Sequence, residues 1–78
     1  MTRPLAHLRL PAVHHIDEEA DQFFWIGSGN RLLIAPIMPT GEIDYESTSD
    51  ARVVAENPAD KWRYKKIRSR LIQQLFPS

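Results

Sequence analysis

The sequence contains no cysteine, and this absence excludes several kinds of chemistry at once. A chain without thiols forms no disulfide bond, no thiolate zinc site and no cysteine nucleophile. It also contains no run of 18 apolar residues, the approximate minimum for a membrane-spanning helix. An excess of charge of either sign is missing too, because ten Lys and Arg balance ten Asp and Glu. Neither a histone-like polycation nor an acidic disordered tail fits these counts.

Residues 1–10 have no long apolar core and no small-residue cleavage site, so we expect no signal peptide. Together with the absence of cysteine, this favours a cytoplasmic protein with no membrane partner. The hydrophobic share of 42% and the charged share of 26% are typical of an ordinary globular chain. We therefore expect one domain, residues 1–78, which binds at its surface because it is too small to enclose a drug-sized ligand.

The N-terminal segment, residues 1–16, has two interpretations. Leu8 and Leu10 alternate with polar residues, a period of two that is typical of a short strand. Pro4 and Pro11 bracket this stretch, and because proline lacks an N–H donor the strand would lie at a sheet edge. The alternative is an ordered but irregular arm.

Residues 17–26 run from an acidic stretch into an aromatic one. A helix capped by Asp17 is one interpretation, since its first turn would carry the negative charge that helix N-termini favour. The other is a hairpin, with strands at 23–26 and 32–35 joined by a glycine-rich turn at 27–30. We favour the hairpin because both flanks of the turn are apolar.

Two further strands are expected before the C-terminal segment. Residues 42–46 alternate strictly, with Ile43 and Tyr45 inward, and this predicts a half-buried strand. Residues 51–55 contain adjacent valines, which favour a short strand or extended segment over the alternative of one helical turn.

The best helix signal lies at residues 57–60. Asn57 is a strong N-cap and Pro58 suits the first helical position, so we predict a helix over residues 58–76 that stops before Pro77. Its apolar stripe comprises Tyr64, Ile67, Leu71 and Leu75, with Ile72 beside them. The predicted fold is α+β: an antiparallel meander of three to four strands, residues 21–56, packed against one C-terminal amphipathic helix.

Charge is unevenly distributed along the chain. Residues 1–57 carry four cations and nine carboxylates, a net charge of −5, whereas residues 58–78 carry six cations and one carboxylate, a net charge of +5. On the helix, Arg63, Lys66 and Arg70 recur at helical spacing with Trp62 at their margin, and we expect all three cations to point away from the core. This pattern is typical of cations that meet phosphates beside a stacking aromatic. A solvated helix face, or one that meets an acidic protein, would show the same pattern.

The acidic residues form the second candidate site. They could meet a basic protein or mimic nucleic acid, although outward charges on an edge strand also prevent aggregation. The set comprises Asp17, Glu18, Glu19, Glu42, Asp44 and Glu46.

The aromatic run 23–26 suggests a contact surface, because neighbouring residues in a strand point to opposite faces. One helix covers only one face of a small sheet. The other face must therefore meet segment 5–16, a second copy or another protein. Phe24 and Trp25 are the candidate partner-binding residues of this run.

No pattern of catalytic or metal-binding residues stands out. His14 and His15 precede several carboxylates, but their spacing matches no established metal site. The stretch Gly27–Gly29 lacks the Lys-Ser/Thr continuation of a phosphate-binding loop. We therefore expect no enzyme activity, no catalytic residue, no metal and no cofactor.

These observations favour a small non-catalytic binding protein that acts through protein–protein contact, as a regulator, an inhibitor or an accessory subunit of a larger machine. Its partner would be another protein or a second copy of the chain. The alternative is a nucleic-acid-binding module that uses the basic helix face, with Trp62, Arg63, Lys66 and Arg70 in contact with the nucleic acid.

Overall fold

A four-stranded antiparallel sheet packs against a C-terminal helix in the computed structural model, which describes residues 10–77. The strands, in both chain and sheet order, are β1 (His14–Asp17), β2 (Gln22–Ile26), β3 (Leu32–Pro36) and β4 (Ser49–Asp50). The helices are α1 (Ala51–Val54) and α2 (Pro58–Leu75). The predicted α+β meander with one long C-terminal helix is confirmed.

The hairpin between β2 and β3 forms where the glycine-rich turn predicts it. Gly29 and Asn30 adopt φ angles of 74° and 57°, the left-handed region that a tight connection requires. The Gly27 N–H donates to the carbonyl oxygen of Arg31 at 2.9 Å and closes the turn. The rival helix beginning at Asp17 is wrong, because Asp17 ends β1 and its carboxylate accepts a hydrogen bond from the Ala20 N–H in the following turn.

The alternating stretch between Pro4 and Pro11, which suggests an edge strand, lies almost wholly outside the described residues, so that strand stays a prediction. Leu10 is exposed and in no regular element, and the first strand of the sheet, β1, begins only at His14. Among residues 10–77, strand β1 pairs with β2 alone, with His15 opposite Phe24 and Asp17 opposite Gln22.

The strand predicted at residues 42–46 is wrong. Ile43 alone forms an isolated bridge, to Ile37, and the Tyr45 N–H then donates to the carbonyl of Ile43 at 3.0 Å. A single 3₁₀ turn, Tyr45–Ser47, follows. Local hydrogen bonds replace the ladder here, as the Thr48 hydroxyl donates to the carbonyl of Tyr45 at 2.6 Å. The alternation did place Ile43 correctly in the core.

The preference for a strand at residues 51–55 is also wrong, and the helical alternative is present as α1. The carboxylate of Asp50 accepts the Arg52 N–H at 2.9 Å, so it caps the helix that follows. The fourth strand is instead the two residues just before α1.

Helix α2 begins as its sequence predicts, with the Asn57 side chain accepting the Asp60 N–H at 2.8 Å. Tyr64, Ile67 and Leu71 are buried against the sheet. Leu75 is 41% exposed, so the apolar stripe ends one turn earlier than expected. Within residues 10–77, no helix has the length and apolar character needed to cross a membrane.

The two faces of the sheet are covered by different parts of the chain. Phe24 belongs to the larger core under α2, together with Leu32 and Ile34. Phe23 belongs to a second cluster with Ala35 and Ile43 on the opposite face. Both phenylalanines are 0% exposed. The second face is therefore closed to a large extent by the loop over residues 37–48.

Candidate nucleic-acid interface on the C-terminal helix

Arg63 is held within the fold. Its guanidinium donates to the carboxylate of Asp17 and, at 3.0 Å, to the side-chain oxygen of Gln22. Its Cζ lies 4.8 Å from the ring centroid of Tyr64 and 5.9 Å from that of Phe24. The expectation that Arg63 points away from the core is therefore wrong, and its cation is already occupied by β1 and β2.

Trp62 lies at the solvent side of α2 and is 64% exposed. Residues Ser69 and Gln73 share this outer line of the helix, because they lie seven and eleven positions from it. Lys65 and Lys66, three and four positions after Trp62, border it on the two sides. An indole without cover between two cations exposes both a stacking face and positive charge.

Lys66 and Arg70 continue the basic surface toward β1. They line a cleft of about 290 Å³ between the helix and the sheet edge, together with His15, Trp62, Ile67 and the paired Asp17 and Arg63. Neither Lys66 nor Arg70 forms an ion pair with a carboxylate among the described residues. Of the three cations predicted to form the stripe, these two are exposed and Arg63 is only partly so.

Lys65 was missed by the sequence interpretation, although it lies beside Trp62 and lines the outer surface with Lys66, Ser69 and Arg70. Its signal was present in the sequence, because a residue three positions from an exposed tryptophan shares its side of a helix. Lys65 lies outside the stripe that the spacing of Arg63, Lys66 and Arg70 defines. The outer surface of α2 comprises Trp62, Lys65, Lys66, Ser69, Arg70 and Gln73.

The acidic candidates lie in two separate segments. Asp17 faces α2 through Arg63, and Glu18 and Glu19 are exposed in the turn after β1. The other three are in the loop 37–48, which packs on the opposite face of the sheet. They are Glu42, Asp44 and Glu46. Asp17 is thus engaged inside the fold and does not join them in one patch.

The aromatic candidates also separate. Phe24 has no exposed surface, so its assignment to a partner-binding set is corrected. Trp25 is half-buried on the other face, where its ring lies 5.5 Å from those of Phe23 and Tyr45. Tyr45 is 36% exposed at the edge of this cluster. Burial also raises the pKa of the Tyr45 hydroxyl.

The histidines do not converge with carboxylates. His14 and His15 are adjacent in β1 and therefore point to opposite faces, where their rings lie beside Phe23 and Phe24 respectively. The Nδ1 of His14 lies 2.7 Å from the carbonyl oxygen of Pro11. Over residues 10–77, no three His, Asp or Glu side chains come close enough to share a metal ion.

No protein-family model matches the chain, and neither a curated protein nor a solved structure matches it significantly. Its function must therefore be argued from the positions of its own side chains. Those positions define a basic helix surface with an uncovered tryptophan at its centre.

Proposed function

We propose that this protein is a non-catalytic binding protein whose outer α2 surface contacts single-stranded nucleic acid. The observation that carries the proposal is Trp62, which is 64% exposed and has lysines on both sides. An indole at such an exposed position contributes little to the stability of the fold. Stacking of an aromatic ring on a base, by contrast, typically contributes about 1–3 kcal/mol to the free energy of binding.

The charges around Trp62 support the same ligand. Lys65, Lys66 and Arg70 have no carboxylate partner among residues 10–77. The sole acidic residue of α2 is Asp60, at its first turn. A surface with positive charge and an aromatic ring tracks a phosphate backbone while its ring accepts any base, so it discriminates little between sequences.

The test is a titration of the protein with a fluorescent single-stranded DNA and an RNA of the same sequence over a range of salt concentrations. The double variant Lys66→Gln/Arg70→Gln should bind more weakly. It should also reduce the slope of log K against log salt by about 1.4, since each engaged cation contributes about 0.7 on a single strand. Trp62→Ala should weaken binding without changing this slope.

The matched control keeps the charges and exchanges the side chains, Lys66→Arg/Arg70→Lys, and should preserve the salt slope. Arg63 is left unchanged throughout, because its substitution would disturb the contact with Asp17. The proposed function would be contradicted if wild type and the Gln variant bound the oligonucleotides equally. It would also be contradicted if wild type did not bind them at low salt.

Protein–protein contact is the second candidate. It is favoured by the half-buried Trp25, which packs against the partly exposed Tyr45, and by the exposed Ile16 of β1. Acidic residues of the loop 37–48 would suit a basic partner, for which this chain would act as a regulator, an inhibitor or an accessory subunit. It ranks second because Phe24 is buried in the core, where it cannot contact a partner, and because the loop 37–48 covers much of the second face of the sheet.

Self-association through the same face is tested by size analysis at several concentrations. A dimer that Trp25→Ala converts to monomer would support this candidate, and a monomer throughout would exclude the second copy. In either case the cysteine-free composition leads us to propose a cytoplasmic protein that works without contact with a membrane.

A further inference from the structure

A second basic concavity lies on the other flank of α2, away from β1. It is a groove of about 590 Å³ between α2, α1 and the turn that joins β2 to β3. Five cations from all three elements line it, and no carboxylate does. They are Arg31, Arg52, Lys61, Lys65 and Arg68.

These positive charges are not neutralised within residues 10–77. Both ion pairs of that part of the chain involve Arg63, on the opposite flank. The five cations are all exposed and come from segments far apart in sequence, and a ligand with several negative charges would interact favourably with all of them at once. The arrangement therefore points to an anionic ligand of several charges.

The floor and rim of the groove are fixed by the fold. Its floor includes Leu32, Ala51 and Tyr64, which are all buried. At the rim, the Arg68 Nε donates to the carbonyl of Asn30 at 2.8 Å, and the Arg31 Nε donates to a carbonyl of the same turn at 3.3 Å. Both hydrogen bonds use Nε, so they orient the guanidinium groups before any ligand binds.

We infer that this groove binds the phosphate groups of a small phosphorylated molecule, namely a nucleoside diphosphate. A diphosphate carries enough negative charge to engage several cations, and arginine matches phosphate oxygens in a bidentate geometry. The half-buried Ala55 and the aliphatic parts of the lining lysine and arginine side chains provide apolar surface for the nucleoside part. This inference does not depend on the proposed contact between the outer α2 surface and a nucleic acid.

The experiment is an NMR titration of the ¹⁵N-labelled protein with ADP, pyrophosphate and adenosine at constant ionic strength. ADP and pyrophosphate should shift the amide signals of Gly29, Arg31 and Leu32, with ADP the tighter ligand, and adenosine should not shift them. Arg31→Gln/Arg68→Gln should weaken ADP binding by about tenfold or more. The matched pair on the other flank, Lys66→Gln/Arg70→Gln, should leave it within about twofold.

A second groove variant, Lys61→Gln/Lys65→Gln, guards against loss of fold in the arginine variant, because neither lysine forms a side-chain hydrogen bond or an ion pair within residues 10–77. It should also weaken ADP binding. No shifts with ADP up to about 10 mM would overturn the inference, since affinity weaker than that is negligible for a metabolite. The inference would also be overturned if the variants on both flanks of α2 lost ADP affinity equally. That result would show that ADP responds only to the net charge of the protein.

The phosphate could also belong to a nucleic acid strand, and the same variants separate this source. If Arg31→Gln/Arg68→Gln weakens oligonucleotide binding while wild type does not bind ADP or pyrophosphate, the groove contacts a strand and the small-ligand inference is wrong. If ADP binds in the groove while oligonucleotides do not bind at all, the inference stands and the proposed function fails.

Discussion

Arg63 of α2 donates a hydrogen bond to the carboxylate of Asp17 at the end of β1, across 46 positions of sequence. The same guanidinium reaches Gln22 at the start of β2 and lies against the ring of Tyr64. One side chain thus joins the first hairpin to the C-terminal helix. Because both charged groups are partly shielded from water, their interaction should exceed that of an ordinary surface pair.

The contact predicts a measurable coupling between Arg63 and Asp17. Each single substitution, Arg63→Ala and Asp17→Ala, should lower the free energy of unfolding, and the double variant should lose less than the sum of the two. We expect a coupling of about 1–2 kcal/mol from urea denaturation, because this partly exposed pair lies between an exposed ion pair and a shielded hydrogen bond to a charged group. Additive losses would show that the two groups do not interact in solution.

The helix core predicts a contrast between two leucines one turn apart. Leu71 is 1% exposed and Leu75 is 41% exposed. Leu71→Ala should lower the free energy of unfolding by about 2–5 kcal/mol, enough to unfold much of so small a domain. Leu75→Ala is the matched control and should change it by less than about 1 kcal/mol. Similar melting temperatures for the two variants would mean that the helix face is assigned wrongly.

The aromatic strand predicts a graded series. Phe24→Ala empties the core under α2 and should lower the free energy of unfolding by about 3–5 kcal/mol. Trp25→Ala should cost about half as much, since the indole is only half-buried and the loss follows the buried area. Thermal melts followed by circular dichroism measure both. A fully stable Phe24→Ala protein would contradict the packing of β2 under the helix.

Tyr45 predicts a loss of stability at alkaline pH. Burial raises the pKa of its hydroxyl above the ordinary tyrosine value, so the unfolded chain releases this proton at a lower pH than the folded one. The stabilising contribution is complete below about pH 10 and declines as the pH rises through the folded-state pKa.

The control for this prediction is Tyr45→Phe, which keeps the ring and removes the titrating group. Denaturation at several pH values should show a constant difference between wild type and Tyr45→Phe from neutral pH to about pH 9. Above about pH 10, wild type should lose stability relative to the variant. A difference that stays constant to higher pH would contradict the partial desolvation of the Tyr45 hydroxyl.

Local signals predicted α2 and the central hairpin, whereas α1 was not favoured although its cap by Asp50 is also local. Asn57 and Pro58 define the start of α2, and the turn at 27–30 defines the central hairpin, because capping and left-handed φ angles depend on a few adjacent residues. Residues 42–46 show the limit of this reasoning. Their alternation reported correctly that Ile43 is buried, but whether a neighbouring strand is available to pair with them depends on the path of the whole chain.

The candidate sites show the same limit. Helical spacing groups Arg63 with Lys66 and Arg70. It does not indicate that Arg63 also binds Asp17 and Gln22, because these two residues lie in the sheet and approach Arg63 only in the folded chain. The groove on the other flank was not predicted at all. Its cations come from the turn 27–31, α1 and α2, so their convergence follows from tertiary structure and leaves no spacing in the sequence. The groove also shows that a domain too small to enclose a ligand can still form a concavity on its surface.

The most direct test of the proposed function uses Trp62 as its own reporter. In the variant Trp25→Phe, Trp62 is the single tryptophan of the chain, and its fluorescence reports stacking on a base. Addition of a single-stranded oligonucleotide at low salt should quench this emission, and added salt should restore it as the phosphate contacts weaken. Emission that stays unchanged at saturating oligonucleotide, in a variant that melts like a folded protein, would contradict the assignment of the outer α2 surface as a nucleic-acid interface.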